Sequence, residues 1–287
     1  MNVARTPAEV GSGPRAVALG TFDGVHLGHR RVIETLLDAG PEPTVVTFDP
    51  HPRTALGNRV DLLMSLERRL ELLAGLGVDA VLVVEFTLDV ARLEPEAFAD
   101  EFLRPIGAET VVAGEDFRFG RARQGDVTVL ESLGFATRPV PLLENVSSTR
   151  IRELVRDGDV HGAAQLLGRP VEVEGIVVTG DARGGTLGFP TANLDVRPEL
   201  LVPQNGIYAG AAGENRAAVS IGTNPHYGGS ERRVEAFLLD FEGDLYGRRL
   251  IVELWERLRD EQSFESEQAL IDQIARDVER TRAATRP

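Results

Sequence analysis

The sequence predicts two folds in succession: a doubly wound α/β domain over residues 1–168, then a small antiparallel β-barrel with a terminal helix over 169–287. Three observations lead there. In the first half, short apolar runs alternate with helical stretches, the pattern of a parallel sheet covered by helices. After Pro170, strand-like runs follow one another across Gly, Pro and Asn turns with no long helix between them. A length of 287 residues is enough for two cores.

Taken in order, residues 16–20 (AVALG), 44–48 (TVVTF), 80–86 (AVLVVEF) and 110–113 (TVVA) read as buried parallel strands, and 136–141 as a fifth. Residues 62–76 carry apolar side chains at helical spacing, and 95–103 do so more briefly. Such a sheet takes its ligands outside the carboxyl ends of the strands. A helical stretch over 149–167 is broken by Asp157-Gly158-Asp159 and ended by Gly168-Arg169-Pro170. Strands are then predicted over 171–178, 206–212, 216–221, 233–241 and 250–255. The last helix spans 268–280, with Leu270, Ile271, Ile274 and Val278 as its apolar face. No internal repeat or low-complexity tract interrupts the chain.

Composition removes several classes of function. Apolar residues make up 42% and charged residues 26%, the balance of a globular protein. No apolar run approaches the roughly 18 residues of a membrane span. The first 14 residues lack the apolar core of a secretory signal, so a cytoplasmic protein is expected. A formal net charge of −14 argues against nucleic acid as partner but leaves small anionic substrates open. Cysteine is absent, which excludes disulfides, thiolate catalysis and cysteine-ligated zinc. Lysine is absent too, so phosphate chemistry must rest on arginine, histidine, backbone amides or a metal ion. Monomer and homo-oligomer both remain open.

The densest chemical signal is GTFDGVHLGH, residues 20–29, directly after the first strand. A strand running through a glycine-rich turn into a helix aims amides and a helix dipole at one point. His26 and His29, three apart, share a face of the first helical turn. Gly20, Phe22, Asp23 and Gly28 are candidate nucleotide-binding residues, and Gly28 leaves room for a phosphate chain against the backbone. Two imidazoles there suit a reaction in which charge grows on phosphate oxygens. The same residues also fit a plain strand-to-helix turn, or half of a metal site. Zinc would need a further ligand, for which only His51 and carboxylates offer themselves. A second run, SSTRIR at 147–152, places Ser148 or Thr149 as a helix cap, with Arg150 or Arg152 in reach of outer phosphates.

The other concentrated signal is GDARGGTLGFPTAN, residues 180–193. No GK[ST] follows its glycines and no helix pattern does, so neither a P-loop nor a dinucleotide fingerprint fits. A glycine-rich loop over phosphates does fit, with Gly180 and Gly188 letting backbone amides approach and Arg183 supplying a cation. Thr191 and Asn193, two apart in an extended segment, turn their oxygens to one side as hard ligands for Mg²⁺. Glu235, read as an inward carboxylate on its strand, is a candidate base for an attacking hydroxyl.

The HLGH run at 26–29 and the SSTRIR run resemble the HxGH and SSTxIR signatures of the nucleotidyltransferase superfamily. TFDPHP at 47–52 and GEDFRFG at 114–120 resemble the N-terminal half of bacterial bifunctional riboflavin kinase/FAD synthetases. LGFPTANL, NGIYAG, IGTNP and VEAFLLDFEGDLYG, in that order, resemble the riboflavin kinase half of the same family. The likeness runs from about residue 16 to 278 and implies two reactions: riboflavin and ATP give FMN, then FMN and ATP give FAD and pyrophosphate. By resemblance, His26, His29 and Glu235 are catalytic. Asp116, Ser148, Thr149, Arg152 and Arg259 bind substrate or nucleotide, and Thr191 with Asn193 holds Mg²⁺. Phe117, Phe119 and Phe264 fall near the implied flavin, although the first two also read as core. The chain departs from the family at Gly185, where arginine is usual, at Phe237, where histidine is usual, and at His226-Tyr227, where Thr-Phe is usual. Two other readings stand beside the bifunctional one: a single active half, and a flavin-binding protein without chemistry.

Overall fold

A computed structural model of the chain describes residues 1–180, 189–223 and 232–287. The chain divides into two compact units, Met1–Ser147 and Ser148–Pro287. Arg183, Gly185, Gly188, His226 and Tyr227 lie outside the described residues.

The first unit is built on six parallel strands: β1 (Asn2–Ala4), β2 (Arg15–Leu19), β3 (Thr44–Asp49), β4 (Ala80–Glu85), β5 (Ala108–Gly114) and β6 (Ala136–Val140). Their order is β1-β4-β3-β2-β5-β6. Side chains alternate across a strand, so each strand feeds two cores. Ala16, Ala18, Val45, Val81 and Val83 face the helices Leu27–Leu37 and Leu66–Gly75, meeting Ile33, Leu36 and Leu73. Val17, Leu19, Val46, Leu82 and Val84 face the other way, against Phe98, Phe102 and Leu103. Residues buried on both faces are why these strands read as unbroken apolar runs.

Five of the six strands match the sequence prediction. The sixth, β1, is three residues long and pairs Asn2 with Ala80 at the sheet edge, too short to leave a periodic signal. The helix predicted over 62–76 begins only at Leu66, because Ser65 caps it by accepting from the Arg68 amide at 3.0 Å. The helix predicted over 95–103 is α-helical over Pro95–Phe98 and widens to a π turn over Ala99–Leu103. Chain order reverses at β2, which has β3 on one side and β5 on the other. In open α/β sheets that switch point is where ligands bind, beyond the carboxyl ends of the strands. The 20–29 turn leaves β2 at that end, and the loop carrying Asp116 leaves β5 there too.

In the second unit the helices Ser148–Arg156 and Val160–Leu167 are separated at Gly158 (φ 77°) and closed by Gly168 in the left-handed region (φ 68°), the break and stop the sequence predicts. The helix Val160–Leu167 packs on the barrel strands β7 (Val171–Val178) and β12 (Arg249–Arg259). The remaining strands are β8 (Ala192–Asp195), β9 (Gly206–Ala212), β10 (Asn215–Thr223) and β11 (Arg232–Leu238). All pair antiparallel and close in the order β10-β11-β8-β7-β12-β9. Val173, Val177, Leu194, Val219, Val234 and Val252 are buried within this unit. Beyond the predicted strands the barrel includes β8, four residues long. Strand β12 also runs past the predicted 250–255, through register shifts at Leu254/Glu256 and Arg257/Arg259 that break its alternation.

The terminal helix is Glu267–Ala283, capped by Ser266. Its predicted apolar face is corrected in part. Val278 is buried, but beside it are Asp277 and Thr281, while Leu270, Ile271 and Ile274 are only half-buried. Asp277 is there because it receives Arg259 of β12 through Nε (3.0 Å) and Nη2 (2.7 Å). The helix is therefore tied to the barrel by a buried ion pair as well as by Trp255, Leu258 and Ala284.

Candidate active sites

The first candidate site starts where β2 ends. Gly20 donates to the Val46 carbonyl at 3.2 Å, and the chain then turns through Phe22 (φ 51°), Gly24 (φ 91°) and Val25 (φ 37°). Positive φ at a bulky and a β-branched residue is uncommon and persists where surroundings fix it. Phe22 is buried, as is Asp23, whose carboxylate accepts from the Leu63 amide at 3.0 Å. His26 is the N-cap of the helix Leu27–Leu37, and its Nδ1 accepts from the His29 amide at 3.2 Å. With Nδ1 accepting, the neutral ring carries its hydrogen on Nε2.

The two imidazoles stack, with centroids 3.6 Å apart and planes 12° apart, and Phe22 lies 5.2 Å from His29. The shared face expected from their spacing is present. A Cβ at Gly28 would sit 3.1 and 3.2 Å from Cε1 and Nδ1 of His26. Glycine at this position lets the His26 ring fold back over the helix start. His51 caps the short helix Pro52–Ala55, accepting from the Arg53 amide at 3.2 Å. Among the described residues no group of three His, Asp or Glu could hold a metal ion, so the zinc alternative gains nothing.

Asp116 is exposed in the loop after β5. Phe119 belongs to the core and stacks on half-buried Phe117 at 6.0 Å. The core reading expected as one of two for these rings holds for Phe119.

Sequence reasoning passed over Arg69. It is 1% exposed, and burial lowers its pKa while the charges of Asp23 and Asp49 raise it. Its Nη1 donates to Thr47 Oγ1 and to the Phe48 carbonyl, both at 3.2 Å. A signal was available: Arg69 interrupts the apolar stripe Leu66, Leu70 and Leu73 at a position where helical spacing calls for an apolar residue.

In the second unit, Ser148 is the first residue of its helix, so Ser148 and Thr149 lie inside it, one position past the cap expected of them. Thr149 is exposed, Arg152 is buried, and Arg150 pairs with Glu153 at 3.1 Å.

The second candidate site lies on the barrel wall. Asn193 of β8 stands directly opposite Glu235 of β11, and directly paired residues turn their side chains to one face. Thr191 Oγ1 donates to Glu235 Oε2 at 3.4 Å. The sequence prediction of an inward Glu235 is corrected: Val234, Ala236 and Leu238 are the buried set, so half-buried Glu235 occupies the opposite face of β11. Phe237 shares that face and meets Phe189 edge-on at 5.4 Å. Gly180 belongs to the same place, since a Cβ on it would lie 2.2 Å from Asn193 Nδ2. A hydroxyl that gives its hydrogen to a carboxylate keeps its lone pairs, and the Asn193 amide adds a second neutral oxygen. This donor set fits Mg²⁺. Arg259 is held by Asp277 and lies 5.9 Å from the Phe264 ring.

Comparison with known proteins gives a consistent result. A family model described as FAD synthetase matches residues 11–151, and one described as riboflavin kinase matches residues 167–285. A bifunctional riboflavin kinase/FMN adenylyltransferase of Listeria monocytogenes is 37% identical, over 94% of this chain and 92% of that protein. Its namesakes from Bacillus subtilis and Escherichia coli are each 36% identical over 91% of this chain, and over 89% and 90% of their own lengths. A crystal structure described as a macrolide-efflux protein from Streptococcus pneumoniae shares the fold with a TM-score of 0.87, at 31% identity over 98% of both chains. Among the described residues no helix is long and apolar enough to cross a membrane.

Proposed function

This chain belongs to the family of bifunctional riboflavin kinase/FMN adenylyltransferases, and on that premise we propose how its residues divide two ATP-dependent reactions. Riboflavin is phosphorylated to FMN, and FMN is adenylated to FAD with release of pyrophosphate. Both family models match in chain order, and neither a single active half nor a carrier without chemistry finds support among the relatives.

In adenylation an FMN phosphate oxygen attacks the α-phosphorus of ATP, the bond to the β-phosphate oxygen breaks, and charge leaves with pyrophosphate. His26 and His29 meet that charge at the start of an eleven-residue helix, where the dipole adds to the imidazole donors. Gly20, Phe22, Asp23 and Gly28 shape the nucleotide site, Asp116 contacts substrate, and Ser148, Thr149 and Arg152 bind phosphate. In phosphorylation Glu235 takes the proton of the riboflavin 5′-hydroxyl as its oxygen attacks the γ-phosphorus and ADP departs. Thr191 and Asn193 would hold Mg²⁺, which when bound neutralises phosphate charge. Gly180, Gly188 and Arg183 are assigned to phosphate binding on the resemblance, and Arg259 to orienting the flavin. We assign adenylation to residues 1–168 and phosphorylation to residues 169–287. A cytoplasmic location, where ATP is plentiful, belongs to the same proposal.

The observation that carries the reading is the join of Thr191, Asn193 and Glu235 on one face, a base beside two metal-directed oxygens. Supplying FMN, ATP and Mg²⁺ without riboflavin tests the second reaction alone. One pyrophosphate per FAD is expected, and inorganic phosphate in its place would refute nucleotidyl transfer.

A further inference from the structure

The turn that delivers His26 is strained at Phe22 and Val25, and something must hold it. One restraint is local, the Val25 amide on the Phe22 carbonyl at 3.0 Å. A second is the Leu63 amide on Asp23. The third comes from beneath. Thr47 Oγ1, at the carboxyl end of β3, donates to the Thr21 carbonyl at 3.1 Å. A threonine hydroxyl has a single hydrogen and can spend it once. Arg69 Nη1 donates to that same oxygen at 3.2 Å, which leaves the hydroxyl hydrogen for Thr21. Arg69 is itself fixed by the Phe48 carbonyl one residue further along β3. The result is a one-way relay, Arg69 to Thr47 to Thr21, buried at every donor and ending five residues before His26.

We propose that Arg69 and Thr47 are positioning residues for FMN adenylation: the relay pins the strained turn, and through it the cap geometry and stacking of His26 and His29. The inference rests on the adenylation reading above. A residue of this kind acts on the rate of the chemical step, since it sets the placement of groups that meet charge only in the transition state.

The test compares Thr47→Val, Thr47→Ser and Arg69→Lys in the full-length chain. Valine keeps the shape of threonine and loses the hydroxyl, whereas serine keeps the hydroxyl. Thr47→Val is expected to lower kcat for FAD formation from FMN by roughly ten- to a hundredfold, the scale of a displaced catalytic group. KM for FMN should stay within about twofold, because the relay ends on the nucleotide turn and touches no group assigned to FMN. Thr47→Ser should restore most of the rate. Arg69→Lys keeps a charge but loses the fixed fork of donors, and should show the same kcat-selective loss. FMN formation from riboflavin by the same samples, unchanged in all three, reports that the chain is intact. Should Thr47→Val fail that control, Arg69→Lys decides the matter. Wild-type kcat in either decisive variant, or equal impairment by serine and valine, overturns the relay. Failure of the wild type to make FAD from FMN would instead overturn the adenylation reading.

Discussion

His26 and His29 are stacked face to face at 3.6 Å, and the same His26 ring accepts the amide hydrogen of His29. One residue thus caps the helix and supports the ring of the other. Removing the supported ring leaves the cap in place. His29→Ala should therefore cut FAD formation from FMN by roughly 10²-fold, the usual loss of a transition-state donor, with riboflavin phosphorylation unchanged. Initial rates with each substrate supplied separately check this, and near-normal FAD synthesis would remove His29 from the mechanism.

Gly28→Ala separates the site from the helix that carries it. Gly28 is the second residue of its helix, where alanine gains at most part of the roughly 0.5–1 kcal/mol it has over glycine in a helix interior, so propensity alone would not lower the melting temperature. The new Cβ would lie 3.1 Å from the His26 ring and force it to shift. The expected outcome is an adenylation rate lowered by about tenfold or more at unchanged thermal stability. Unchanged rates would mean that the stacking of the two rings does not matter to turnover.

On the barrel, Glu235→Gln should bind riboflavin and Mg-ATP much as before but turn over slowly, since only proton acceptance is lost. Thr191→Ala and Asn193→Ala should raise the Mg²⁺ concentration needed for half-maximal FMN formation. A Mg²⁺ titration of the three variants distinguishes base from ligands. If Glu235→Gln shifted the titration and the other two did not, the roles would be reversed.

Asp277→Ala strands Arg259, whose partner is 4% exposed. Breaking a buried pair costs about 3–5 kcal/mol, so the terminal helix should loosen from the barrel and the second unit should melt earlier. Riboflavin phosphorylation should fall with it, because Arg259 loses the carboxylate that fixes its guanidinium. Denaturant unfolding followed at Trp255, the chain's sole tryptophan, reads the change.

Much of this was legible in the sequence for physical reasons. The buried runs of β2 to β5 announce themselves because both faces are covered, and Gly158 and Gly168 mark a break and a stop that need positive φ. What escaped was short or aperiodic: β1 with three residues, β8 with four, and the shifted register of β12. Glu235 was read on the wrong side because alternation gives the period of a strand, while the side that faces the core depends on which neighbours close the barrel. The histidine pair was visible as spacing, but the reason for Gly28 was not, since it depends on where the His26 ring folds. Arg69 needs its partners to make sense, and those are 21 and 22 residues away in sequence.

The central claim is that one chain carries both reactions in series. Its most direct test is to incubate the purified protein with riboflavin, ATP and Mg²⁺ and follow riboflavin, FMN and FAD by chromatography over time. FMN should rise first and FAD follow, with one ADP and one pyrophosphate formed per FAD. FAD formed from supplied FMN, but no FMN ever formed from riboflavin, would contradict the account.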